Sequence, residues 1–343
     1  MTADSDSGAS PPERTSDDPA IVSPLRPFRG ARPDAPAWFH AALADAPERS
    51  FTEVEGARIE TLTWGEPGKP GLLFLHGNGA HADWYSFIAP FFARDYRVAA
   101  MSWSGMGASD WRDSYSIDQF GREAIAVAEA TGLFAAPVKP IVVAHSFGGG
   151  VAIRLAAVSG DRLTGTIVLD NVPRPPHLRW KGPPDRADRA PPVYDTFEAA
   201  LARFRLMPPQ GCGNLYLVDH IARGSLKPAP RADGGEGWTW RFDPRLWQKM
   251  DRRVAMESEQ DLVAALCPMA FVWGEQSMLV PNEGIAFTRQ FITPGTPMLA
   301  VPDAEHHLML DQPLATVAAL RSVLSIWPQR TGSDEAAGKL TAS

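Results

Sequence analysis

Two cysteines, Cys212 and Cys267, are all that 343 residues contain. They fall in unrelated segments, which excludes a disulfide framework and a Cys-x-x-Cys metal site. No run of 18 apolar residues occurs, so no transmembrane helix is expected. The opening stretch "MTADSDSGASPPERTSDDPA" has no apolar block and does not read as a signal peptide. Lys and Arg number 33 against 40 Asp and Glu, a net charge of −7. A nucleic-acid partner would favour a basic face, so none is expected. No internal repeat is visible. Together these absences point to a cytoplasmic globular protein.

What is present is an apolar share of 44% and a charged share of 21%, ordinary for a packed domain. Residues 1 to about 35 are rich in Pro, Ser, Asp and Ala and are expected to be a disordered tail. "APAWFHAALADAP" reads as a short helix. "SFTEVEGARIETLTWG" alternates around Glu-Gly, a hairpin signal. Short apolar strands then alternate with helices. "GLLFLHG", "YRVAAMSW", "VKPIVVAH" and "LTGTIVLDNV" are the strands. "WYSFIAPFFA", "SIDQFGREAIAVAEATG" (with a Ser cap and a Gly stop) and "GGGVAIRLAAVS" are the helices. Such alternation predicts an α/β fold with a mostly parallel sheet covered on both faces.

The rhythm breaks at Pro173. Residues 173–262 hold two helical patterns, "TFEAALARFRLM" and "NLYLVDHIARGS", and an aromatic stretch, "GWTWRFDPRLW". The rhythm returns with "PMAFVWGE", "NEGIAFTRQFI", "TPMLAVPDA" and "PLATVAALRSVLSIW". The expected organisation is therefore a core of residues 36–172 and 263–328, a helical cap of 173–262, and a flexible tail of 329–343.

Sites on open parallel sheets form at the carboxyl ends of strands. Four such ends carry polar groups here: "LHGNG", "AHSFG", "VLDN" and "AEHHLML". In "AHSFG", Ser146 stands where a strand turns into a helix. It fits the nucleophile-elbow pattern G-x-S-x-G with Ala144 for the first Gly, or it is a helix cap. Gly148 to Gly150 would let the helix start close against the sheet. His145 and His76 read as structural. A serine needs a base, and the base an orienting acid, in the chain order Ser, acid, His. His306 and His307 follow the last strand. For the acid, the loop "FVWGEQSMLVP" has Ser277 where Asp is usual, with Glu275 nearby. Asp170, at the end of the strand after the nucleophile helix, is the preferred acid. Oxyanion donors would be the backbone N–H groups of Phe147 and Asn78. Gly77 and Gly79 would let the turn carrying Asn78 approach a ligand.

These residues resemble the α/β-hydrolase superfamily over about 51–172 and 262–326. "LHGNGA" looks like its oxyanion turn and "AHSFGG" its nucleophile elbow. "SWSGMGASD" looks like its glycine-rich turn, with Ser102 for the usual Asp. "AEHHLMLDQP" looks like its His loop, where a His stands five residues before an acid. Counting back from Asp311 selects His306. An acid at Asp170 is similar to a subgroup that includes some haloalkane dehalogenases and zearalenone-type lactone hydrolases. Dehalogenase or epoxide hydrolase chemistry needs a carboxylate at 146, which Ser146 excludes.

The resemblance implies a serine hydrolase with Ser146, His306 and Asp170 as triad. Its substrate would be a hydrophobic ester or lactone, with no cofactor and no metal. Gly77, Trp84, Phe204, Leu206, Met207, Tyr216 and Trp238 are candidate substrate contacts, with Trp240 and Phe242 beside them. No basic cluster marking an anionic substrate is seen in the sequence. The rival readings are a carbon–carbon bond hydrolase, an acyltransferase, and a ligand-binding receptor on the same fold.

Overall fold

A computed structural model describes residues 17–179, 192–251 and 259–327. Ten strands occur among them: β1 (Glu48–Val54), β2 (Ala57–Trp64), β3 (Gly71–Leu75), β4 (Arg97–Met101), β5 (Ile141–His145), β6 (Gly165–Leu169), β7 (Leu226–Pro230), β8 (Glu236–Trp240), β9 (Met269–Gly274) and β10 (Met298–Val301). Eight of them form one sheet, in the order β1-β2-β4-β3-β5-β6-β9-β10. β1 and β2 are an antiparallel hairpin, and β2 also runs antiparallel to β4; from β4 through β10 every pairing is parallel. Glu55 and Gly56 both have positive φ (47° and 75°), as a two-residue hairpin turn with right-twisting flanks requires.

The central strands are apolar on both faces because both faces are covered. Leu72, Phe74, Ile141 and Val143 pack on one side of the sheet, and Leu73, Leu75, Val142 and Ala144 on the other. Each fully buried Leu or Phe of this kind contributes roughly 2 kcal/mol. The helix Ile117–Ala130 starts where Ser116 Oγ accepts the Gln119 N–H at 3.1 Å and ends before Gly132 at φ 76°.

The helix Phe147–Ser159 lies close on the sheet. A Cβ on Gly148 would sit 2.7 Å from the His76 carbonyl oxygen, and one on Gly149 2.9 Å from Asn171 Cβ. Gly148 and Gly149 are thus required by approach distance. "WYSFIAPFFA" forms no continuous helix. It splits into a 3-10 turn, Ala82–Tyr85, and one α-turn, Pro90–Ala93, since Pro90 can only begin a helix.

Between β6 and β9 the chain leaves the sheet. This excursion carries helices Phe197–Leu201 and Leu215–Gly224, and it is not wholly helical as expected. β7 and β8 pair as a separate hairpin. Pro228 and Pro230 in β7 hid it in the sequence, but a two-stranded ribbon has a free edge where proline costs no ladder bond.

The tail expectation also needs correction for residues 17–35. Asp18 caps a turn of helix, Pro19–Val22, and Leu25 is only 1% exposed in the core. Polar composition hid a few apolar residues that pack. Residues 1–16 and 328–343 lie outside the described residues. No helix among the described residues is long and apolar enough to cross a membrane.

Candidate active site

β5 ends at His145, and Ser146 follows with φ 53° and ψ −120°. That region is costly for a side chain bearing Cβ. Hydrogen bonds to its own backbone groups hold the conformation. Ser146 N–H donates to Leu169 O (2.9 Å), Gly149 N–H donates to Ser146 O (2.8 Å), and so does Asn171 Nδ2 (2.7 Å). Ser146 occupies the helix N-cap position, yet its side chain makes no capping bond. The hydroxyl lies instead 2.9 Å from His306 Nε2.

His306 sits after β10, 2% exposed. Its Nδ1 is 2.5 Å from Asp170 Oδ2. A buried carboxylate accepts, so Nδ1 carries the proton and Nε2 is free to accept from the serine. Asp170, 1% exposed, follows β6 at φ 49°. Its other bonds come from the Gly274 N–H (2.9 Å) and Ser277 Oγ (2.6 Å). Thus Ser277, which stands where an acid was sought, donates to the acid that comes from the neighbouring strand. Glu275 is exposed, and its N–H is spent on Val301 O at 3.0 Å. The structure brings Ser146, His306 and Asp170 into one hydrogen-bonded line and leaves Glu275 outside it.

Two further histidines pack against His306, with ring centroids 4.8 Å away for both His145 (tilted) and His307 (edge-on). Burial lowers both well below the ordinary imidazole range, so both are neutral. His145 Nε2 donates to His306 O at 2.9 Å, which fixes the loop backbone. The backbone N–H of His307 donates to Gln210 Oε1 at 3.0 Å. Nitrogens of the three rings lie within 4.8 Å of one another. A metal there would have to displace Asp170 or Ser146 from His306.

The turn after β3 is built on His76. Its Nδ1 donates to Gly77 O (2.7 Å), and its Nε2 accepts the Trp103 N–H (3.1 Å). Burial pushes its pKa down to about 3, so this buttress stays neutral. A Cβ on Gly77 would lie 3.1 Å from Ser146 Cβ and 3.5 Å from Oγ. The turn therefore runs against the serine. Among the described residues, the N–H groups of Asn78 and Phe147 take no acceptor. At the glycine-rich turn, Ser102 Oγ donates to Glu60 Oε2 at 2.7 Å. Glu60 on β2 supplies the carboxylate that Ser102 lacks.

A cavity of about 510 Å³ opens beside this turn. Of the residues named from the sequence, Asn78, Trp84, Phe204, Leu206, Met207, Trp240 and Phe242 line it. Gly77, Tyr216 and Trp238 do not line it. Tyr216 packs edge-on against Phe39, with centroids 5.1 Å apart, and Trp238 against Phe197 at 4.9 Å. Tyr216 thus ties the excursion to the helix Ala37–Ala44, and Trp238 packs within the excursion. Residues that sequence reasoning missed include Val22, Met106, Leu246, Trp247 and His307. Val22 belongs to the segment taken for a disordered tail, and Trp247 is held edge-on to Phe147 at 5.8 Å.

The family model for the alpha/beta hydrolase family matches residues 72–320. The chain belongs to that family. Within it, the chain is similar to "Esterase Rv0045c" of Mycobacterium tuberculosis, 27% identical over 300 residues, covering 82% of this chain and 92% of that one. It is also similar to "Epoxide hydrolase 1" of Caenorhabditis elegans, 33% identical over 134 residues, but that match covers only 38% of this chain and 31% of the other. The solved thioesterase domain from the curacin biosynthetic pathway superposes with a TM-score of 0.65 at 21% identity, covering 80% of this chain and 99% of that one. At that identity the likeness is one of fold alone.

Proposed function

We propose that this α/β hydrolase is a serine hydrolase cleaving a hydrophobic carboxylic ester or lactone, with residues 173–262 as a lid over the site. One observation carries the reading: Ser146 forgoes its capping bond and offers Oγ to His306 Nε2. A strained serine with a base at 2.9 Å and a buried acid behind it has the geometry for nucleophilic acyl transfer. The similarity to an esterase over most of both chains supports the same class.

His306 takes the Ser146 proton as Oγ bonds to the carbonyl carbon. The carbonyl electron pair moves to oxygen, where the N–H groups of Phe147 and Asn78 receive it. Collapse breaks the bond to the alcohol oxygen, which takes the proton from His306. Water then repeats the sequence on the acyl-enzyme, giving its proton to His306 and freeing the acid and Ser146. Asp170 holds the Nδ1–H tautomer and stabilises the imidazolium formed in each half. The apolar lining residues Trp84, Phe204, Leu206 and Met207 suit a hydrophobic acyl or alcohol group.

The test is Ser146→Ala with p-nitrophenyl esters and macrocyclic lactones. Loss of kcat by about 10³-fold or more, together with loss of fluorophosphonate labelling, is expected. A variant that turns over at the wild-type rate refutes the mechanism.

A further inference from the structure

The cavity wall carries three arginines, Arg203, Arg205 and Arg241. Arg203 and Arg205 stand two positions apart and Arg241 lies 36 residues further on, so only the fold brings all three together. Arg203 and Arg205 come from the chain leaving helix Phe197–Leu201. Along it Phe204 and Leu206 turn inward while Arg203 and Arg205 stay exposed, so apolar and cationic lining alternate. Arg241 follows β8, with its Nε donating to Leu226 O at 2.8 Å. That bond braces the guanidinium and leaves its terminal amines uncommitted.

No carboxylate pairs with any of the three among the described residues. Several other arginines of the molecule do have such partners. Arg49, Arg112, Arg122, Arg154 and Arg223 are each in an ion pair, and the chain as a whole is acidic at −7. The one carboxylate on the cavity wall, Asp243, is already committed. It accepts Lys249 Nζ at 2.7 Å and the Tyr115 hydroxyl at 3.0 Å. An uncompensated positive wall on a cleft of a negative protein focuses field on that cleft and draws anions to it.

We propose that the preferred substrate is an anionic ester, whose scissile carbonyl lies at Ser146 and whose charged group is held by Arg203, Arg205 and Arg241. This rests on the hydrolase reading and narrows it: an apolar segment of the substrate runs over Phe204 and Leu206 to a carboxylate or phosphate. Guanidinium groups pair both anions bidentately.

The test compares mono-p-nitrophenyl esters of linear dicarboxylic acids with the same esters whose far carboxylate is methylated. The wild type is expected to favour the free acid by about 10-fold in kcat/KM at low salt, with most of that lost in about 0.5 M NaCl. Arg203→Gln, Arg205→Gln and Arg241→Gln combined should bring the ratio near one. Arg203→Glu with Arg205→Glu, at exposed positions that folding tolerates, should invert it. A second arm compares an acyl-coenzyme A with the neutral N-acetylcysteamine thioester of the same acid. A preference confined to that arm identifies the anion as a phosphate. Equal rates in both arms, or a preference that survives the triple variant, overturn the proposal. Failure of the hydrolase reading looks different: no ester of either charge is cleaved and Ser146 is not labelled by fluorophosphonate.

Discussion

Replacing Asp170 by Asn tests the site at the link that is least ordinary. The carboxylate accepts three hydrogen bonds, from His306 Nδ1 (2.5 Å), Ser277 Oγ (2.6 Å) and the Gly274 N–H (2.9 Å). An asparagine of the same shape can keep the Gly274 bond through Oδ1. Its Nδ2 then stands where Oδ2 was, a donor facing two donors. The Ser277 hydroxyl can rotate to accept. His306 can respond only by presenting a lone pair at Nδ1, which puts the proton on Nε2. In that tautomer it cannot take the Ser146 proton. The imidazolium also loses its counter-charge in a buried site. Such a change costs about 10⁴-fold in kcat in the serine-protease template, or roughly 5 kcal/mol of barrier.

Ser277→Ala removes a donor without changing the tautomer and should cost only about 10-fold, in line with one charge-assisted hydrogen bond. Glu275→Gln changes an exposed side chain and should leave kcat within about twofold. The assay is kcat and kcat/KM on a p-nitrophenyl ester for all three variants, with circular dichroism to verify folding. Asp170→Asn keeping more than a tenth of wild-type kcat, or Glu275→Gln losing as much as Asp170→Asn, would refute the reasoning.

Acid should unfold this protein early. Burial holds His76 at about 3 and His220 at about 4, against 6.5 for a free imidazole. Both are neutral in the fold, while the unfolded chain takes up their protons below 6.5, so stability present above that pH is lost as pH falls through it. From pH 7 to 5 the loss is about 2 kcal/mol for each and about 4 for the pair. His145 and His307, lowered by burial, act in the same direction. Chemical denaturation at the two pH values measures this; equal stabilities would contradict the burial of these rings. Gly148→Ala forces a Cβ to 2.7 Å from the His76 carbonyl oxygen and 2.9 Å from that of Leu75. Backbone cannot yield as a side chain can, so the helix must move off the sheet. A cost of about 2–3 kcal/mol, seen as a Tm lower by roughly 3–5 °C, is expected. An unchanged Tm would show that the helix has room.

Local pattern was enough for the architecture. Apolar runs of strand length alternating with helical periods dictate a buried parallel sheet, because each such run must be covered on both faces. The strand-end motifs followed from the same pattern: Ser146 and Asp170 directly follow apolar strands, and His306 was selected by its spacing from Asp311 in the loop after the last one. Where the sequence failed, an interaction between distant segments decided the outcome. Residues 17–35 look polar on average, yet Leu25 is buried and Val22 reaches the cavity. Tyr216 and Trp238 look like lid aromatics, yet neighbours within the fold consume their faces.

The sequence by itself determined the sheet, the elbow at Ser146 and the order of serine, acid and histidine, since those depend on periodicity and on residues a few positions apart. Only the tertiary structure decided that Ser277 donates to Asp170 across 107 residues, or that Glu60 stands in at Ser102. It alone gathered Arg203, Arg205 and Arg241 on one wall. The reason is physical: hydrogen-bond partners and charge clusters are set by distance in space, and nothing in a chain's local pattern carries the distance between its remote segments.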